Sequence, residues 1–404
     1  MSNAGPPQVA KAPSGGSAVH AVTSVGASAS NAGPPQVAKA PSGGSAVHAV
    51  TSVGASHPRD VLLGSQAGRV TLPVCDHYSG VETRMQKTLA LQAQMMDEFG
   101  ACVFDATLDC EDGAPVGGEV DHANMVVSLV NTAQEAIKNV VNADVSTQRI
   151  GVRVHAVDHP SFASDIDILV KGAGARLAYI MLPKVERLVD VQTALLAIDQ
   201  AGGAHIPLHV LIESSAAVAQ VFTIAAHPRV QSISFGLMDF VSSHGGAIPA
   251  DAMGSAGQFT HPLVLRAKLE IASACHAHGK VPSHCVVTEF TNTAALQAAA
   301  TQASRQLGYS RMWSIHPAQI RPIIAAFAPS VADIDAACHI ITAAHAAQWG
   351  PISYQGSLHD RASYRYYWQI LERANQTGRK LPAELGIYFK PALRNVHAHP
   401  QETP

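Results

Sequence analysis

Two acidic residues, Glu213 in "LHVLIESS" and Asp239 in "SFGLMDF", each close an apolar run, and one strand–helix unit separates the two runs. If those runs are neighbouring parallel strands, the acids sit about 4.8 Å apart in strand spacing. Carboxylates that close repel, and one stays protonated unless a cation lies between them. A hard divalent ion such as Mg²⁺ suits the pair, with waters and substrate oxygens completing its octahedron. The competing reading, two acids stabilising the starts of helices, applies to each separately.

Other chemistry-bearing residues follow apolar runs in the same way. "FDATLDCEDGAP" (104–115) ends in Asp109, Glu111 and Asp112, "MLPKVE" in Lys184 and Glu186, and "SHCVVTE" in Glu289. Arg153 lies inside "GVRVHA", where a strand should be buried. A buried guanidinium is costly unless paired. It either bridges a protein carboxylate or holds a substrate carboxylate bidentately, and the second reading is preferred. Arg69, opening "RVTLPV", is a weaker candidate for the same work, with snorkelling or a plain ion pair as its alternatives. Lys184 reads as the partner of an acid, not as a Schiff-base nucleophile. His316 in "SIHPAQI" reads as the residue that orients its loop, and "CHAHG" (275–279) as surface.

One kind of scaffold gathers polar groups at one end of many strands. Eight candidate strands occur: Arg69–Val74, Cys102–Asp109, Ile150–His155, Ala178–Lys184, Leu208–Glu213, Gln231–Leu237, Ser283–Glu289 and Arg311–Pro317. Helix-like segments run between them, such as Gly80–Phe99, Asp121–Asn142, Glu186–Ala201, Ala216–Ala226, His261–His278 and Asn292–Gln306. Near-continuous apolar strands alternating with helices are parallel strands covered on both faces. Eight such units predict an α/β fold of the TIM type, a closed (β/α)8 barrel over residues 57–329, with its chemistry at the carboxyl ends of the strands. No GxGxxG follows the first strand, which argues against a dinucleotide-binding sheet.

Outside the barrel the sequence changes character. "SNAGPPQVAKAPSGGSAVHAVTSVGAS" stands at Ser2–Ser28 and again at Ser30–Ser56, without an acidic or aromatic residue. Such a composition cannot repay the entropy of folding, so residues 1–56 are expected to be disordered, with a tag-like start. Residues 330–378 hold two more helices, expected to form a lid or an oligomer contact, and 379–404 read as a loose tail. The net charge of -3 and 14% charged residues give no basic face for nucleic acid. No apolar run reaches the roughly 20 residues of a membrane helix. Six scattered cysteines, none at CxxC spacing, fit a cytoplasmic protein.

The motifs "LDCEDGAP", "VRVHA", "MLPKVE", "LIESS", "SFGLMDF" and "SIHPAQI", in this order, resemble the citrate lyase β-subunit branch of the HpcH/HpaI aldolase family, which includes malyl-CoA and citramalyl-CoA lyases. The resemblance implies a Mg²⁺-dependent barrel enzyme that breaks or forms a carbon–carbon bond next to a carboxylate, on a CoA or carrier thioester. It implies a homo-oligomer, a trimer or hexamer. It implies Glu213 and Asp239 as metal ligands, Arg153 as carboxylate clamp with Arg69 beside it, and Glu111 and Asp112 facing the metal's waters. "GSLHDRAS" is similar to a lid motif whose aspartate acts on a neighbouring subunit's substrate, which makes Asp360 the candidate general acid/base. The chain departs from the family where a glycine and lysine precede "IHP", having Arg311 and Met312, and at the start of the second helix, "VGGEVDHANMVV". Two alternatives stay open: a metal-dependent aldolase on free 2-oxo acids, and an accessory subunit of a larger citrate-lyase-like complex.

Overall fold

The computed structural model describes residues 57–68, 71–138 and 148–389. Arg69, the duplicated segment 1–56 and residues 390–404 lie outside the described residues. Eight parallel strands close into a barrel in chain order: β1 (Cys75–Ser79), β2 (Phe104–Asp109), β3 (Ile150–Arg153), β4 (Tyr179–Leu182), β5 (Leu208–Ile212), β6 (Val230–Phe235), β7 (Val281–His284) and β8 (Arg311–Ser314). The helices are α1 (Pro58–Leu63), α2 (Glu82–Phe99), α3 (Glu119–Lys138), α4 (Phe162–Ala173), α5 (Leu188–Gln200), α6 (Ser215–Ala225), a short α7 (Leu237–Ser242), α8 (Pro262–His278), α9 (Thr293–Gln306) and α10 (Pro317–Phe327). The TIM-type expectation holds, but two strands are displaced: β7 is Val281–His284 and not Ser283–Glu289, so Glu289 lies in the loop beyond it, and β1 also differs. The first strand is "CDHYS"; the described part of "RVTLPV", residues 71–74, is not strand, and an apolar search passes over "CDHYS" because its alternate residues Asp76 and Tyr78 are polar and face a polar barrel interior.

Local chemistry sets the boundaries. Pro262 begins α8 and Gly279, at φ 64°, ends it in the left-handed conformation that a side chain resists. Ser214 caps α6 by accepting from Ala217 N at 3.1 Å, so the chain turns immediately after Glu213. Val152, Ile180, Val210 and Ile233 face outward and pack beneath the helices in one large apolar cluster.

The inside of the barrel is not the usual stack of branched aliphatic residues. Asp105 accepts from Arg311 Nη2 and Arg149 Nε, both at 2.7 Å. Thr107 donates to Asp76 Oδ1 at 2.6 Å, and the Tyr179 ring stacks on His209 with centroids 3.7 Å apart. One pleat nearer the carboxyl ends, Met181, Leu211 and Trp313 form a thin apolar layer over this charged one.

The expected tail helices are α11 (Val331–Ala346) and α12 (Arg361–Gln376), joined by a hairpin of β9 (Ile352–Tyr354) and β10 (Ser357–His359). They make a second core around Trp368, Tyr364 and Ile341, which also takes in Leu62 of α1. The loose tail is corrected over 379–389: α13 (Ala383–Gly386) buries Leu385 there, and Phe389 stacks on Trp368 at 5.1 Å.

Candidate active site at the barrel mouth

Glu213 is the first residue past β5, and the pairing of Ile212 with Phe235 sets it beside Gly236. The residue is 7% exposed, and its Oε2 accepts the Lys184 backbone N–H at 3.2 Å. Lys184 turns that N–H inward by adopting φ 51°, a left-handed conformation a lysine rarely takes. Gly236 leaves room for the carboxylate, since a Cβ there would lie 2.4 Å from Glu213 Cγ. Asp239 is not at the strand tip itself but on the first turn of α7, exposed to the mouth. Burial, then the negative charges of Asp239 and Glu111, push the Glu213 carboxyl up to about 7. A buried carboxylate with one N–H donor, facing two more acids, is a group short of positive charge.

That shortage fits a cation. Among the described residues no three His, Cys, Asp or Glu side chains converge as a ligand set. The two carboxylates that could share an ion here are Glu213 and Asp239. That is the number a magnesium ion takes from a protein when waters and substrate fill its other positions.

Arg153 corrects the expected clamp. Its Nε and Nη2 bond the two oxygens of Asp109 at 2.7 and 3.0 Å, Nη1 meets Glu111 Oε2 at 2.9 Å, and Nη2 meets Asp112 Oδ2 at 2.6 Å. The guanidinium also lies over the Tyr78 ring, 4.7 Å from its centroid. Every face of it is used by the protein. Burial opposes its charge, but Asp109, Tyr78 and Glu111 together outweigh that and raise its pKa well above the ordinary value. Glu111 is held between Arg153 and Lys184 Nζ, the latter at 2.6 Å, which realises the acid partner expected for Lys184. Asp112, 73% exposed, is at the rim.

Two cavities flank these acids. One of about 620 Å³ opens over the ends of β1 and β8 and is lined by Tyr78, Arg84, Lys87, Phe290 and His316. The other, of about 380 Å³, lies over β2 to β4 and is lined by Glu111, Lys184, Glu119, His155 and His159. In its wall His155 Nδ1 bonds Asp165 Oδ2 at 2.7 Å, and the same oxygen accepts the His155 N–H at 3.0 Å. Sequence reasoning passed over this pair. The available signal was a histidine two residues beyond Arg153 at a strand end, with an acid ten residues on in the next helix.

The remaining candidates fall as follows. Asp360 is the cap of α12, Oδ1 accepting from Ala362 N at 2.9 Å, and its expected substrate contact belongs to a second copy of the chain. His316 caps α10, accepting from Ala318 N at 3.2 Å, which orients the loop after β8 as anticipated. "CHAHG" is only partly surface, because Cys275 is fully buried in the core. Arg311, where the family has its late glycine–lysine pair, points into the barrel and ion-pairs with Asp105.

The closed parallel barrel with carboxylates gathered at one mouth is of the TIM type, and its family and relatives make it an enzyme of the carbon–carbon lyase class. The chain belongs to the HpcH/HpaI aldolase/citrate lyase family, whose profile matches residues 89–317. It is similar to the L-malyl-CoA/β-methylmalyl-CoA lyase of Cereibacter sphaeroides, 32% identical over 303 residues, 69% of this chain and 90% of the relative. It is also similar to a crystal structure of a citrate lyase from Burkholderia xenovorans, with 46% identity and a TM-score of 0.65 over 83% of this chain and 100% of the other. The protein CitE of Mycobacterium tuberculosis, solved with magnesium, acetoacetate and coenzyme A, shares the fold at 20% identity and a TM-score of 0.55, over 75% of this chain and 98% of its own.

Proposed function

We propose that this protein is a Mg²⁺-dependent lyase that cleaves, or in reverse forms, a malyl-type hydroxy-acyl-CoA thioester. The observation that carries the reading is Glu213, a nearly buried carboxylate facing Asp239 and Glu111 with one protein N–H to satisfy it. Glu213 and Asp239 would hold the ion, which would supply Lewis acidity and charge neutralisation at the substrate oxygens. The protein's own groups do the rest. Lys184 fixes Glu213 through its backbone and Glu111 through its ammonium, and Arg153 holds Asp109, Glu111 and Asp112 of the β2 end in place. The cavity of about 620 Å³ carries Arg84 and Lys87 on its α2 wall, cations suited to the phosphates of a CoA, with Phe290 and Tyr78 as flat apolar surfaces. The malyl-CoA lyase relative, matched over 90% of its length, supports the thioester.

One observation favours the free-acid alternative. Arg311 is spent inside the barrel, so whatever the family's lysine does at that position is not done here by a cation at the mouth. The experiment is turnover of a panel of L-malyl-CoA, citramalyl-CoA and free 4-hydroxy-2-oxo acids, with Mg²⁺ and with EDTA. Thioester cleavage abolished by EDTA is the expected result. Cleavage of free acids alone would overturn the thioester assignment, and undiminished turnover in EDTA the metal. Asp239→Ala should lose activity and Mg²⁺ binding while unfolding at the wild-type temperature, because an exposed first-turn acid carries little packing.

A further inference from the structure

Glu213 and Asp239 must keep one separation if they are to share an ion, yet the two are held in different ways. Glu213 is buried, with Gly236 beside it and the Lys184 N–H on Oε2. Asp239 is exposed, and among the described residues no hydrogen bond reaches its carboxylate. Its position is therefore that of α7, Leu237–Ser242. Six residues make fewer than two turns, too few for a helix to hold its own place. Something else must fix α7 against the strand that carries Glu213.

His244, just beyond α7, makes that link. Its Nδ1 lies 2.6 Å from the Phe240 carbonyl oxygen, so this nitrogen carries the hydrogen and donates it. Nε2 is then the acceptor, and it takes the hydroxyl hydrogen of Ser215 at 2.9 Å. The ring also packs on that of Phe240, centroids 4.7 Å apart, and Phe240 meets Phe235 at the tip of β6 at 5.2 Å. Ser215 opens α6 two residues after Glu213, and Phe240 directly follows Asp239. The two acids are thereby closed into a ring: from Glu213 through Ser214 to Ser215 along the chain, across the hydroxyl and the imidazole, and through Phe240 back to Asp239. Among the described residues this is the one hydrogen bond between 215–225 and 237–244. We propose that His244 is a positioning residue of the metal pair: by bonding Ser215 it holds α7 where Asp239 and Glu213 face the same ion. The inference rests on the metal reading above. Ser215 is exposed and His244 half-buried, so water replaces the bond when it is cut and folding loses little. What is lost is the preset separation of the acids, which binding of the ion must then impose.

The test is the Mg²⁺ affinity of the full chain by calorimetric titration, beside the melting temperature in EDTA, for wild type, Ser215→Ala, His244→Asn, the double variant and His244→Gln. Ser215→Ala leaves the cap of α6 intact, because Ser214 provides it. Asparagine keeps a donor where Nδ1 stands but has no atom in the place of Nε2. Each single change is expected to weaken Mg²⁺ binding about 3- to 10-fold. The melting temperature in EDTA should stay within about 2 °C of wild type. Both changes cut the same bond, so the double variant should bind no more weakly than the weaker single variant. His244→Gln, whose amide reaches the place of Nε2, should recover most of the affinity, which a purely structural loss would not allow. Losses that multiply in the double variant, or wild-type affinity in both single variants, overturn the proposal and leave the metal reading intact. If His244→Asn does not fold, wild-type affinity in Ser215→Ala alone overturns it. If wild type binds no Mg²⁺, or Asp239→Ala binds it as wild type does, the metal reading has failed and this role fails with it.

Discussion

Glu213 carries the sharpest consequence for a single residue. Its folded pKa is raised from 4.5 to about 7, so between those values the folded protein holds more protons than the unfolded chain. By linkage the folded state loses stability as pH rises across that window, by about 2–4 kcal/mol from this group. A bound cation reverses the loss, because it interacts with the ionised pair. In EDTA the melting temperature should therefore fall between pH 5 and pH 8. Added Mg²⁺ should raise it little at pH 5 and by several degrees at pH 8. Glu213→Gln should flatten both responses. Calorimetry of the two proteins at the two pH values checks this, and an equal Mg²⁺ effect at both would remove Glu213 as the binding group. The acids of this pair were legible as residues because each closes an apolar run. The engagement of Arg153 was not, because nothing in "GVRVHA" tells that Asp109, Glu111 and Asp112 are all within its reach.

At the scale of elements, strands and helices were readable where their periodicity was apolar. β5 begins at Leu208 and α9 ends at Gln306, both as anticipated, and β2 begins two residues later than expected. β1 was misplaced because alternate positions of "CDHYS" face a charged interior, and an apolar search prefers "RVTLPV". The placement of Asp239 on α7 also escaped, since a six-residue helix leaves no periodic signal. The close approach of β5 and β6 at the mouth depends on Gly236. Gly236→Ala would put a methyl 2.4 Å from Glu213 Cγ and 2.7 Å from Oε1. The carboxylate must then swing away, at a cost of about 1–3 kcal/mol in folding. Activity should fall much further than stability, with weakened Mg²⁺ binding measured by titration, whereas an Ala variant with full metal affinity would show that the carboxylate's position is set elsewhere.

The described residues form two large cores of different character: a barrel with apolar outer packing and a charged interior, and a tail core around Trp368. The charged interior could not be seen in the sequence, because Asp76, Asp105 and Arg311 are far apart along the chain and meet only when the barrel closes between β8 and β1. Arg311 is fully buried, and its Nη2 lies 2.7 Å from Asp105 and 3.6 Å from Asp76. Burial raises the Asp76 pKa, and Arg311 opposes that rise. For Asp105 burial also acts upward, but Arg149 and Arg311 outweigh it and keep the carboxylate below its ordinary value. Arg311→Met removes the cation common to both acids and leaves buried negative charge behind, which costs about 3–5 kcal/mol. The loss should depend on pH. Without Arg311 the Asp76 carboxyl rises further, so near pH 5 it is protonated and costs less, while at pH 8 both acids must be ionised or take up protons against the solvent. Chemical denaturation at the two pH values should show a larger destabilisation at pH 8, and equal losses at both would mean that the guanidinium contributes packing and not charge to the closure of the barrel.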